Sequence, residues 1–263
     1  MTVLDSLRPA PGLRVLVTAG GSGIGAAVAR AFCDAGARVH VCDIDRSTLD
    51  RLAADAPAIT SSVADASNPQ DVDLVFDDVR GTLGGLDVLV NNAGIAGPTA
   101  GIESIDAAQW ERTVDVNLNS QFLFARRAVP MLRQSEAGAS MLVMSSVAGR
   151  LGYAFRTPYA ATKWALVGMM KSLAIELGPQ GVRVNAILPG TVEGPRMNAV
   201  IAARAAAAGV SADAMRGEYV RKTSLRRMVT ADDVAAMSLF LCSPAARNVS
   251  GQAISVDANL EYL

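Results

Sequence analysis

The sequence predicts an α/β fold, a doubly wound parallel sheet of about seven strands with helices on both faces. Two observations carry that prediction. Short β-branched runs, apolar almost without interruption, alternate with longer stretches of helical apolar periodicity. Strands of that kind belong in a parallel sheet covered on either side. The first strand also runs straight into a glycine-rich turn that opens a helix, which is how a βαβ unit begins.

Arg14–Thr18 (RVLVT) is the first strand, AGGSGIG the turn and AAVARAFCDAG the helix that follows. Residues 38–42 (RVHVC) form a second strand that ends at Asp43. A third strand is expected over 58–63, a helix over 71–83 and a fourth strand at Val88–Asn91. Residues 106 to about 133 read as one long helix, straight or kinked. The alternation resumes with a strand at Ser140–Met144, a helix over 158–177 and a strand over 182–188. A helix over 231–241 and a last strand at Ala253–Val256 complete it. No linker, repeat or low-complexity stretch divides the chain, so residues 1–263 are expected to form a single domain.

One segment breaks the rhythm. Between Pro189 and Thr230 about forty residues pass without a strand pattern, carrying two short helical ones over 197–208 and 211–222. In a sheet that binds ligands beyond the carboxyl ends of its strands, residues 190–230 are placed as a substrate lid; a structural helical hairpin is the alternative.

Of the 263 residues 51% are apolar, enough for a large core, and the formal net charge is -1 with no Lys/Arg-rich run. Nucleic acid and membrane surfaces are therefore not expected partners. No apolar run has the length of a signal peptide or of the roughly 18 residues a membrane span needs, and a cytoplasmic location is expected. Cys33, Cys42 and Cys242 are far apart among apolar neighbours and read as small buried hydrophobes. His40, the lone histidine, lies inside an apparent strand and reads as structural. No metal site is expected, and zinc chemistry and Ser-His-Asp hydrolysis both lack their residues.

Chemistry concentrates in Ser145–Lys163. Tyr159 and Lys163 are four apart and share a helix face, with the Ser146 hydroxyl upstream. An ammonium beside a phenol favours the phenolate; bringing a phenol from about 10 to about 7 takes roughly 4 kcal/mol of preferential stabilisation. The result is a proton donor and acceptor near neutral pH. At the other motif, Gly21, Gly23 and Gly25 let the backbone approach a pyrophosphate at the helix N-terminus. Asp43, eighteen residues past Gly25 at the end of the second strand, is placed to accept from a ribose diol and to repel a 2′-phosphate. Ser22 brings no positive charge for that phosphate, so NAD is expected over NADP. Arg46 argues the other way, weakened by Asp45 beside it.

With these motifs in place the chain resembles the short-chain dehydrogenase/reductase family over nearly its whole length, which implies a Rossmann-like domain and an NAD-dependent oxidoreductase. The family's turn reads Thr-Gly-x-x-x-Gly-x-Gly. Here it is Thr18, Ala19, Gly20, Gly21, Ser22, Gly23, Ile24, Gly25, with Ala19 in place of the first glycine. Further matches are NNAG at Asn91 to Gly94, Asn117 within DVN, Ser146 thirteen residues before Tyr159, and Pro189-Gly190 after a strand. The resemblance implies that Tyr159 is the general acid/base and that Lys163 lowers its pKa and bonds the nicotinamide ribose. It implies that Ser146, rather than Ser145, holds the substrate oxygen, and that Asn117 holds a water linking the lysine to solvent. It gives Thr18, Gly20, Ser22 and Ile24 to the phosphate turn, Ile44 to the ribose end beside Asp43, and Asp65 and Ala66 to the adenine. Asn91, Ala93 and Gly94 underlie the adenosine, and Pro189, Gly190 and Val192 surround the carboxamide. The family often has a threonine near Gly194, whose carboxamide hydrogen bond is either lost here or made by Thr191 instead. Family members usually form tetramers through the two long helices, here starting near Asp106 and Pro158.

Candidate substrate contacts are Ala96, Ala148, Leu151, Tyr153, Arg196 and Met197, with Tyr153 and Phe155 making the entrance partly apolar. Arg196 meets a substrate carboxylate or is simply solvated. The expected substrate is a small to medium secondary alcohol or ketone, with a polyol or hydroxy acid included. Two other readings stand beside it. An NADPH-dependent 3-ketoacyl-type ketoreductase is opposed by Asp43, and a cofactor-sensing scaffold by the complete Ser146, Tyr159 and Lys163 set.

Overall fold

The computed structural model describes residues 2–260. Seven parallel strands, β1 (Arg14–Thr18), β2 (Arg38–Asp43), β3 (Thr60–Val63), β4 (Val88–Asn91), β5 (Ser140–Met144), β6 (Arg183–Pro189) and β7 (Ala253–Val256), lie in the order β3-β2-β1-β4-β5-β6-β7. The order reverses between β1 and β4, where Val15 pairs with Val88 and Val17 with Val90. At such a switch point the loops beyond the two carboxyl ends diverge and leave a crevice.

Successive strand residues point to opposite faces, so each strand feeds two cores. Leu16, Leu89, Met141 and Val143 face α4 (Pro69–Leu83), α6 (Ser120–Leu132) and α7 (Thr157–Leu177), where Phe76 and Phe124 meet with ring centroids 5.8 Å apart. Val15, Val17, Val41 and Leu142 face α2 (Gly23–Asp34), α3 (Arg46–Asp55) and α10 (Ala231–Cys242), packing on Phe32, Leu52 and Leu241. Truncating a buried Phe in such a layer to Ala costs about 3–5 kcal/mol.

His40 is structural, as the sequence suggested: its ring is buried between the hydroxyls of Thr60 and Ser62, each at 2.8 Å, which ties β2 to β3. The three cysteines are free.

Several elements differ from expectation. The sequence reading missed α3, whose first turn is capped by the Asp45 carboxylate accepting from Ser47 N–H rather than announced by strong apolar periodicity. A four-residue helix, α1 (Val3–Ser6), was also not foreseen. The third strand starts at Thr60, two residues later than expected. The single helix expected over 106–133 is α5 (Ala107–Val114) and α6 joined by a π-helical turn at Asp115–Asn119. There the Asn117 side chain faces inward and bonds the backbone of Ile95, accepting from its N–H at 2.7 Å and donating to its carbonyl at 3.1 Å. One-turn π-bulges commonly mark functional sites.

After β6 come α8 (Pro195–Ala208) and α9 (Ala212–Arg221), which share a small core of their own, Ile201, Ala205, Met215, Tyr219 and Met228. A single parallel bridge, Val192 to Val229, closes the base of this excursion. Among the described residues, no helix is long and apolar enough to cross a membrane.

Candidate active site

A cleft of about 570 Å³ runs along the carboxyl ends of the strands, from Asp43 and Asp65 at one end to Tyr159, Tyr153 and Arg196 at the other. At the first end, β1 turns into α2 so tightly that a Cβ on Gly25 would stand 2.2 Å from the Ala19 carbonyl oxygen. Ala19 itself has φ +49°, the left-handed region a glycine adopts freely. The turn is stitched to β4 by side chains. Thr18 Oγ1 accepts from the N–H groups of Asn92 and Ala93, both at 2.9 Å, and Asn92 Nδ2 donates to the carbonyls of Thr18 and Ala19. Asp43 closes the end of β2, its carboxylate accepting from Gly21 N–H at 3.0 Å and Asp45 N–H at 3.1 Å. Asp65 accepts from Ser67 and pairs with Arg112 at 3.2 Å. Burial would raise its pKa, but those bonds outweigh it and hold the carboxyl below its ordinary range.

At the other end, the first turns of α7 place Tyr159 and Lys163 together. Lys163 is buried; its Nζ donates to the Met144 carbonyl at 2.9 Å and stands 5.6 Å from the Tyr159 ring centroid. Burial brings the ammonium pKa down to about 8, a shift opposed by Tyr159 and reinforced by Arg196. For Tyr159 burial pushes the phenol up, but Lys163, Arg196, the Ser146 hydroxyl and Arg156 together prevail and bring its pKa below the ordinary phenol value. The two serines part company. Ser145 Oγ donates to the Lys163 carbonyl at 2.8 Å and so braces β5 against α7, whereas Ser146 Oγ accepts from the Ala148 N–H at 3.2 Å and acts on the Tyr159 phenol. Asn117 Nδ2 also reaches Thr162 at 3.2 Å, beside the lysine on α7.

The residues expected around a nucleotide largely converge here. Ser22, Gly23, Ile24, Gly25, Asp43, Ile44, Asp65, Ala66, Ala93, Gly94, Pro189, Gly190 and Val192 line the cleft, as do Ser146, Tyr153, Tyr159, Lys163 and Arg196. Others stand behind the wall. Thr18, Gly20 and Gly21 shape the turn, Asn91 is buried with its amide donating to the Gln121 carbonyl, and Asn117 and Ala148 are buried beneath the lining. Gly194 has φ +140° and ψ 178°, a conformation a threonine would not tolerate, while Thr191 is buried in the adjoining wall.

Sequence reasoning missed four contributors: Asn92, Arg112, Arg156 and Tyr219. Asn92 lay in plain view inside NNAG, and Arg156 lies three residues before Tyr159, one helical turn away. Arg112 and Tyr219 carry no local signal. Tyr219 enters from α9, its hydroxyl 2.9 Å from that of Tyr153 and accepting from Arg204 at 2.9 Å. Arg156 presents its guanidinium 5.0 Å from the Tyr159 ring centroid and 5.1 Å from that of Tyr153.

A family model described as enoyl-(acyl carrier protein) reductase matches residues 18–259. The chain is 34% identical over 252 residues to short chain dehydrogenase/reductase dpchG of Colletotrichum higginsianum, covering 94% of this chain and 92% of that protein. It is 33% identical over 250 residues to 2-(S)-hydroxypropyl-CoM dehydrogenase 3 of Xanthobacter autotrophicus, covering 94% and 95%. The crystal structure of levodione reductase matches with a TM-score of 0.87 over 93% of this chain and 95% of that one, at 28% identity. By sequence and by fold, the chain belongs to the short-chain dehydrogenase/reductase family, oxidoreductases that use a nicotinamide cofactor on alcohol and carbonyl carbons.

Proposed function

We propose that the protein is an NAD-dependent dehydrogenase of small to medium secondary alcohols, working reversibly on the corresponding ketones, with Tyr159 as general acid/base. The observation that carries this is Tyr159 itself, a phenol on the cleft wall whose pKa is lowered by cations gathered around it.

The chain fits a dinucleotide. The approach of the turn to α2, which a Cβ on Gly25 would fill, leaves backbone N–H groups at a helix N-terminus for a pyrophosphate. Asp43, held by two backbone N–H groups, points its charge where a ribose diol is welcome and a 2′-phosphate is not. Arg46, the residue that argued for such a phosphate, does not line the cleft.

When bound, the nicotinamide supplies the hydride acceptor for oxidation or the donor for reduction. The protein's part is position and proton management. Ser146 and the Tyr159 hydroxyl hold the substrate oxygen and stabilise the charge that develops on it. In oxidation the phenolate takes the substrate's hydroxyl proton; in reduction the phenol returns it. Lys163, fixed by the Met144 carbonyl, favours the phenolate and makes it easier to reach than in an ordinary phenol. The excursion over 190–230 serves as the lid, since it sends Met197, Val200 and Tyr219 into the cleft wall. One sheet gathers every described strand, which supports a single domain over residues 1–263. Trp110, Phe122, Trp164 and Ile175, exposed on α5, α6 and α7, support a homotetramer built on those helices; a monomer mass by light scattering would exclude it.

The deciding experiment is a panel of secondary alcohols assayed with NAD and NADP side by side. NADH production on part of the panel is expected. Preference for NADP overturns the role of Asp43, and silence with both cofactors across the panel overturns the dehydrogenase.

A further inference from the structure

Arg156 sits immediately before α7 and is only 3% exposed. Its Nη2 donates to the Ala96 carbonyl at 2.6 Å, but its Nε is buried without any hydrogen-bond partner. The ion pairs among the described residues all lie elsewhere, so no described carboxylate neutralises this guanidinium. A charge that has lost its water without gaining a counter-ion is expensive to keep. The rings of Tyr153 and Tyr159 offset part of that cost by cation–π attraction, yet they leave Nε without a hydrogen-bond acceptor. Arg156 lines the same cleft as Ser146 and Tyr159, so its guanidinium stands at the wall of the space a substrate takes.

A second observation points the same way. Residues 191–230 supply Glu193, Arg196, Met197, Val200 and Tyr219 to the cleft wall. Among the lining residues from Ser145 onward, Arg156, Lys163 and Arg196 are basic against Glu193 alone, and Arg204 lies 5.6 Å from the Tyr153 ring centroid. Approach to the cleft is thereby biased toward anions.

We propose that the substrate is anionic, a short hydroxy acid or its keto acid, whose carboxylate is received by the Arg156 guanidinium while its carbinol oxygen lies against Ser146 and Tyr159. A planar guanidinium matches a carboxylate in charge and shape, whereas a polyol offers only neutral hydroxyls and leaves the charge uncompensated. The carbinol carbon is the atom oxidised, NAD is the oxidant reduced, the hydroxyl proton goes to Tyr159, and the carboxylate is unchanged. Arg156 is thus a specificity-determining residue. The inference rests on the dehydrogenase reading and narrows its substrate class.

The test assays the NAD-saturated enzyme with 2-hydroxybutyrate and 3-hydroxybutyrate, each against its methyl ester. At least one acid is expected to exceed its ester by about tenfold or more in kcat/KM, the size of effect a charged hydrogen bond supplies. Arg156→Gln is expected to collapse that ratio, chiefly through KM for the acid, and Arg156→Lys to restore part of it. Acids that equal or trail their esters in the wild type, or an unchanged ratio in a folded Arg156→Gln, overturn the proposal. If the Gln variant does not fold, the wild-type ratio and the Lys variant decide. Turnover of neutral alcohols without any preference for acids sinks the anion site and leaves the dehydrogenase standing. If nothing is turned over, 2-oxobutyrate and its methyl ester are titrated onto the NADH complex by nicotinamide fluorescence. Acid-selective binding weakened in Arg156→Gln then upholds the anion site although the dehydrogenase reading falls; absence of such binding overturns the anion site too.

Discussion

At the Asp43 end of the cleft, charge is negative and locally satisfied: two backbone N–H groups hold Asp43, and Ser67 and Arg112 hold Asp65. At the Tyr159 end it is positive and underpaired, with Lys163 resting on a carbonyl and Arg156 carrying a buried Nε that meets nothing. The contrast teaches how one cleft does two jobs. Carboxylates held by several donors present their remaining lone pairs in a fixed direction. Underpaired cations instead keep a local potential, and against the opposing effect of burial Lys163 first, then Arg196, the Ser146 hydroxyl and Arg156 draw the Tyr159 phenol below its ordinary pKa.

The largest expected effect comes from removing the group the potential acts on. Tyr159→Phe should lower kcat by about 10²–10⁴-fold or more, the range attributed to a positioned acid/base, while NADH still binds. Near-normal turnover would break the assignment. In the wild type, oxidation needs the phenolate, so its rate should climb with pH through the lowered Tyr159 pKa, while reduction, which needs the phenol, should decline over the same interval. A flat profile in both directions would mean that the cations do not tune this phenol.

The opposite end is probed by Asp43→Ala. The substitution removes the repulsion against a 2′-phosphate and the acceptor for the ribose, so the NADP/NAD efficiency ratio should rise by about tenfold to a hundredfold. The rate with a saturating cofactor should change far less than in the Tyr159 variant. An unchanged ratio would remove Asp43 from cofactor choice.

How much of this was legible in the sequence follows from how local each feature is. The strands, the glycine turn, Asp43 and the Tyr159–Lys163 pair are all written in short windows with fixed spacing, so periodicity and spacing find them. Asn117 could be named, but not the π-helical turn that carries it, because one extra residue in a turn barely disturbs apolar periodicity over 106–133. The underpaired state of Arg156 is the furthest from the sequence. It depends on what Ala96, Tyr153 and Tyr159 place around the guanidinium and on the absence of a described carboxylate, and neither is a property of any window.

The smallest effect concerns the turn. Ala19 holds φ +49°, a conformation that costs an L-residue about 1–2 kcal/mol, while glycine gives back about 0.5–1 through the freedom of the unfolded chain. Ala19→Gly should therefore stabilise the protein by about 0.5 kcal/mol in denaturant unfolding, leaving cofactor preference as it was. A loss of stability would show that the alanine methyl makes a packing contribution larger than its strain.

The His40 ring between Thr60 and Ser62 has a consequence for acid tolerance. Burial lowers its pKa from 6.5 to about 4, with Asp78 only partly opposing the shift. Folded chains thus refuse a proton that unfolded chains accept. Stability from this group is complete above about 6.5 and drains away as pH falls toward about 4, by an amount on the order of 3 kcal/mol. The β2–β3 edge, which carries Asp43, is therefore an acid-labile margin of the sheet. A thermal-melting series from pH 7 to about 4 should show the decline, and a series equally steep in His40→Gln would assign it to other groups.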